Sequence, residues 1–335
     1  MISFTTPDHT SLPRLGVSMR QLFAILGGCL ALASASAEEL VTPAISGVVA
    51  GGTRIEFIKD GFKGTEGPVA LPDGSLAFTE TQANRITRIA PDGTTSTFLE
   101  NSNGSNGLGF NGRGELITAQ VAQTRVGVVY PRGQERTLAD NFEGAPFARP
   151  NDLVVDKRGG VYFTDSGANP TPGQAAPVKA TARPAVYYIT PAGALQRIAH
   201  DIERPNGIQL SPDEKVLYVA NTLGEHVLAY DIAADGSVGG RRDFARLAGW
   251  KKTDSGYSSG ADGLAVDEQG RLYVASNAGI EVFTAGGEAL GAIPLPKKPQ
   301  NLAFAGVGKK TLYVVGRGEA HRIAVLTPGY AGRAK

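Results

Sequence analysis

Three observations predict an all-β fold, a six-bladed β-propeller whose last blade is closed by an N-terminal strand. One hairpin pattern recurs six times, its spacing is that of a propeller blade, and no stretch beyond the leader keeps a helical period with caps. The repeats occupy 67–78, 107–118, 152–163, 207–218, 263–274 and 301–313, each a short apolar strand, a Gly- or Asp-containing turn and a second β-rich strand. The residues that open the second strands, Leu76, Leu116, Val161, Leu217, Leu272 and Leu312, are 40, 45, 56, 55 and 40 residues apart. That interval holds four strands, and outer strands are expected at 85–89, 126–130, 185–189, 226–230 and 279–283. A strand over 53–62 precedes the first repeat and one over 321–326 ends the last. Pairing the two would remove the exposed edges an open ring leaves.

Composition agrees with such a chain. The 44 glycines and 20 prolines in 335 residues follow no period and suit many tight turns, while a formal charge of +1 excludes an electrostatic trap for nucleic acid. Residues 1–37 read as a secretory leader: Arg20, an apolar stretch over 22–32, then Ala35-Ser36-Ala37 before Glu38, with cleavage expected after Ala37 and Met19 as an alternative start. The apolar stretch is too short for a transmembrane span, so export to the periplasm or secretion is expected, with lipid anchoring at Cys29 as the lesser alternative. Cys29 is the single cysteine, so residues 38–335, one propeller domain, carry neither disulfides nor thiolates. The Pro- and Ala-rich segment 167–184 breaks the rhythm and reads either as a lid over one face or as a surface insertion.

Directly before each first strand stands a polar residue: Glu66, Asn106, Asn151, Asn206, Asp262, and Gln300 or Asn301. In a propeller the first strands line the central channel, so these positions converge at one end of the axis. Asn and Asp also favour strand-opening turns, but two carboxylates among amides would repel unless a cation joined them, and Glu66 with Asp262 balances a divalent ion. The donors are oxygens, and His9, His200, His226 and His321 share no slot. Calcium is therefore expected first, with magnesium, manganese or zinc as alternatives. Asp156 and Asp165 read as structural turn acceptors, and no Gly-x-Ser-x-Gly elbow is present.

The strings Thr65-Glu-Gly-Pro-Val, Arg149-Pro-Asn-Asp-Leu, Arg204-Pro-Asn-Gly-Ile, Ala261-Asp-Gly-Leu-Ala and Lys298-Pro-Gln-Asn-Leu, in this order, resemble the successive motifs of the gluconolactonase/regucalcin family. The resemblance implies a metal-dependent hydrolase that opens a small-molecule lactone, such as a sugar lactone, with water. It implies Glu66, Asn206 and Asp262 as metal ligands, Asn151 as a residue that faces the metal as a ligand or contacts the substrate, and Arg149 and Asn106 as substrate contacts. Asp262, as the acidic group nearest a metal-activated water, is expected to act as the catalytic base as well. Where many gluconolactonases read Cys-Glu-His, this chain has Ala119-Gln120-Val121, which leaves the exact substrate open. Two other readings remain: a non-enzymatic periplasmic propeller, and a phosphotriester hydrolase resembling diisopropyl fluorophosphatase.

Overall fold

The computed structural model describes residues 39–168, 183–254 and 256–335. Residues 1–37, expected to be a leader and including Cys29, and most of the 167–184 segment lie outside them. Six four-stranded antiparallel sheets form the blades, each running outward from its first strand. Blades one to five begin with Thr65–Ala70, Ser105–Phe110, Pro150–Val155, Pro205–Leu210 and Leu264–Val266. Blade six takes Asn301–Ala305, Thr311–Gly316 and Glu319–Ala324 from the end of the chain and Ile55–Lys59 from its beginning, with Ile55 opposite Ile323. The ring closes as the repeat pattern predicts. A short hairpin, Lys251–Thr253 with Gly256–Ser258, decorates the link from blade four to blade five.

Burial falls from axis to rim. Thr65–Ala70 is buried throughout, whereas in Thr95–Glu100 at the edge of blade one only Leu99 is buried. Among the described residues six apolar clusters occur, each between two neighbouring blades. Strand alternation feeds both sides of a blade: Leu153 and Val155 pack toward blade two, and Val154 between them packs toward blade four. Both faces are covered, so the inner strands read as nearly continuous apolar runs. No helix among the described residues is long and apolar enough to cross a membrane.

Segment 329–335 crosses the axial channel at the end away from the strand starts. Tyr330 N–H donates to Val266 O, Ala70 N–H donates to Ala334 O (2.8 Å), and Arg333 reaches Leu210 O and Glu214. Lys335 Nζ, buried in the channel, meets Asp152 Oδ2. The two side chains are only 2% and 1% exposed, and removing one partner of such a pair strands the other charge, a loss of about 3–5 kcal/mol. Lys335→Met is therefore expected to cost about 3 kcal/mol in urea unfolding, with much of it recovered in Lys335→Met/Asp152→Asn. Equal stability of Lys335→Met and the parent chain would contradict this.

Candidate active site

The polar residues that precede or open the inner strands come together at the other end of the axis. Glu66, Asn106, Asn151, Asn206 and Asp262 are all buried, between 2% and 9% exposed. Glu66 Oε2 accepts from Asn301 Nδ2 (3.2 Å) and Oε1 from Gln300 Nε2 (3.3 Å), so both candidates for the sixth slot serve the same carboxylate. Asn206 Nδ2 donates to Thr222 Oγ1 (3.0 Å). Three buried oxygens, Asn106 Oδ1, Asn151 Oδ1 and Asp262 Oδ1, accept no hydrogen bond from the protein.

Glycines following the slots allow this convergence. Gly67 has φ +46°, and a Cβ there would lie 1.9 Å from Asn106 O. Gly67→Ala combines a left-handed backbone with that clash, and a destabilisation of about 2–3 kcal/mol is expected; unfolding within 0.5 kcal/mol of the parent would refute the close approach. The equivalent position carries Asp152 in blade three and Asn301 in blade six. A Cβ on Gly107 would meet Asp152 Oδ1 at 2.5 Å, and one on Gly263 would meet Asn301 Oδ1 at 2.0 Å. Glycine in one blade thus makes room for a polar side chain from the next.

A second repeated device holds the loops that enter the inner strands. At the end of the second strand Glu80 accepts from Lys63 N–H (2.9 Å), Gln120 from Asn103 Nδ2 (2.6 Å), Asp165 from Ala148 and Arg149 N–H (both 2.7 Å), and Asn221 from Arg204 N–H (3.2 Å). Each tie falls two or three residues before a slot residue. Gln120, at the departure from the Cys-Glu-His pattern, is thus a buried strap, and Asp165 has a structural role. Asp156 likewise accepts from Arg158 and Gly160 N–H and from Tyr188 OH.

Electrostatics describe one shared centre. Burial, then the charge of Asp262, pushes the Glu66 carboxyl well above its ordinary range, with Asn301 and Arg149 opposing. Asp262 is also raised, first by burial; Lys298 opposes, Asp152 adds to the rise, and Arg317 and Arg149 oppose. Two buried carboxylates within reach of one another, beside amide oxygens that accept no hydrogen bond, form a donor set suited to a hard divalent cation. The fit depends on amides as well as acids: no three His, Cys, Asp or Glu side chains cluster to hold a metal among the described residues. Arg149 lies on the same loop, half-buried. His226 and His321 belong to outer strands of blades four and six.

Sequence reading missed Asp152, Lys335, Lys298, Arg204 and Arg317. Asp152 was legible as the residue standing where most repeats have Gly, and Arg204 as the counterpart of Arg149. Lys335 carries no repeat signal. A cavity of about 570 Å³ lined by Leu71, Phe98, Phe110 and Tyr130 contains none of the slot residues; its lining comes from the far ends of the inner strands of blades one and two, from their outer strands and from residues 331–334.

A closed six-bladed ring with a polar, acid-bearing centre at the starts of its inner strands defines the class: a propeller with an axial site. The chain belongs to the SMP-30/Gluconolactonase/LRE-like family, whose sequence model matches residues 64–317. It is 30% identical over 308 residues to a gluconolactonase of Zymomonas mobilis, covering 86% of each chain. It is 28% identical to the lactonohydrolase oryL of Aspergillus oryzae over 57% of this chain and 47% of that one. A solved gluconolactonase from Xanthomonas campestris superposes with TM-score 0.73 at 26% identity, over 86% of this chain and 98% of that one. A calcium-binding regucalcin from Agrobacterium tumefaciens, 18% identical with TM-score 0.66 over 83% and 97% of the two chains, shares the fold.

Proposed function

We propose that this lactonase opens a sugar lactone by water attack at the axial centre, in the periplasm or outside the cell as the leader implies. The observation that carries the reading is the pair of raised carboxyls, Glu66 and Asp262, beside the buried amide oxygens of Asn106 and Asn151, which like Asp262 Oδ1 have no hydrogen-bond donor from the protein. The relatives named gluconolactonase and lactonase support the reaction class.

Glu66, Asn151, Asn206 and Asp262 would hold a divalent cation, calcium first, and such an ion supplies Lewis-acid polarisation of a carbonyl and a more acidic water. Asn106 Oδ1, with no protein donor, accepts from a substrate hydroxyl, and Arg149 steadies the substrate from the rim. Asp262 Oδ1 takes a proton from the attacking water as the water oxygen bonds to the carbonyl carbon. The ring C–O bond then breaks, the freed ring oxygen takes up the proton, and the product is a hydroxy acid that ionises to its carboxylate.

The deciding experiment is elemental analysis of the purified protein beside gluconolactone hydrolysis, before and after exhaustive chelation and after calcium is restored. Bound divalent metal, loss of hydrolysis on chelation and recovery on addition are expected. Undiminished hydrolysis by protein shown to be metal-free would sink the mechanism.

A further inference from the structure

We propose that the preferred substrate is an anionic lactone, one carrying a carboxylate or phosphate away from its ring carbonyl, held by cationic side chains at the site mouth. This rests on the lactone-opening reading and adds the substrate's charge to it.

The cations are placed by the same loops that place the slot residues. Arg149 stands two residues before Asn151, Arg204 two before Asn206 and Lys298 three before Asn301. Arg317 lies in the turn after Thr311–Gly316, its N–H bonded to Gln300 Oε1 (2.7 Å). Lys298 leans across Gly260, two residues before Asp262: a Cβ there would be 2.5 Å from Lys298 Nζ. Among the described residues Arg149, Lys298 and Arg317 donate no side-chain hydrogen bond and close no contact ion pair. The central carboxylates lie within their field. Asp262 feels Lys298, Arg317 and Arg149, and Glu66 feels Arg149.

Charge accounting then favours an incoming anion. Lys335 neutralises Asp152, and a divalent ion would offset Glu66 and Asp262. Arg149, Lys298 and Arg317 would remain as positive charge at the mouth, before the field of Arg204 is added. Hydrolysis of a neutral lactone creates one negative charge, at the axis, too little to account for three cations on three separate loops. Lys298 is half-buried, and burial pulls its ammonium pKa down while Asp262 opposes; an anion seated beside it would offset that desolvation. Guanidinium and ammonium groups in a recess raise the local concentration of anions and bind carboxylate or phosphate through charge-assisted hydrogen bonds.

The test compares gluconolactone, glucarolactone and phosphogluconolactone as substrates of the calcium-supplemented protein, and titrates gluconate, glucarate and phosphogluconate by calorimetry. At low salt at least one charged lactone is expected to exceed the neutral one in kcat/KM by about tenfold, with the matching product anion binding about tenfold tighter than gluconate. The preference should shrink several-fold in about 0.5 M NaCl. Lys298→Met/Arg317→Ala should bring it near unity, whereas Lys298→Arg should keep it. The separate responses to glucarate and phosphogluconate tell carboxylate from phosphate. If neutral lactone turns over as well as both charged ones and the anions bind no tighter than gluconate, this inference fails and lactone hydrolysis stands. If no lactone is opened but charged anions bind tightly, the proposed reaction fails and the anion site stands; with neither, both fall.

Discussion

Asp262→Asn lowers kcat for lactone hydrolysis by about a thousandfold, the expected loss when a positioned acid–base group is replaced by an amide. The substitution keeps the side chain's shape and removes the proton acceptor. It also takes away one of the two carboxylates that balance a divalent cation, so the metal content of the purified variant should fall with its rate. Glu66→Gln separates these effects: it too weakens metal retention, but its kcat should recover substantially at saturating calcium, because Glu66 is held by Gln300 and Asn301 and has no assigned proton transfer. Asp262→Asn should recover little. An Asp262→Asn enzyme within tenfold of the parent kcat at saturating calcium would remove Asp262 from the chemistry.

Chelation produces the second large effect, read in stability as well as rate. A ligand at about a hundred times its dissociation constant stabilises the folded state by about 2.7 kcal/mol, so removing the ion should lower Tm by about 4 °C for a chain of this size. The effect should depend on pH. In the metal-free protein the Glu66 carboxyl is raised from 4.5 to about 8 and Asp262 from 3.8 to about 6. Between the unfolded and folded values the native state retains protons that the unfolded chain has released. Stability of the chelated protein therefore falls as pH rises through this window, the reverse of a salt-bridged acid, and flattens above about pH 8. Calcium binds the ionised pair, so the rise in Tm on adding it should be small near pH 5 and grow toward pH 8. Thermal melts with and without calcium check this, and a calcium response that shrank as pH rose would contradict it.

The sixfold repeat was legible because antiparallel hairpins are local: the turn residues and the alternation that make each one lie within a dozen positions. Closure by Ile55–Lys59 followed from the need to cover an edge. The polar slots were legible because the first strand of every blade faces the axis. The reading stopped at side-chain partners. Nothing near Glu66 in the chain announces Asn301, 235 residues away. Nothing near Asp152 announces Lys335, 183 residues on. Gln120 looked like a lost ionisable group until its bonds to Asn103 and Arg125 showed a strap.

By itself the sequence determined the ring, its six blades, its closure and the presence of two acids among amides at matching positions, because period and alternation are properties of neighbouring residues. Only the tertiary structure decided which neighbours those acids have. It brought Asn301 and Gln300 to Glu66, set Lys335 against Asp152, left three oxygens without donors and brought Lys298, Arg317 and Arg149 from separate loops within the field of Asp262. Closing a ring makes contacts between residues far apart in the chain, and no local pattern encodes the direction in which side chains leave the starts of twisted strands.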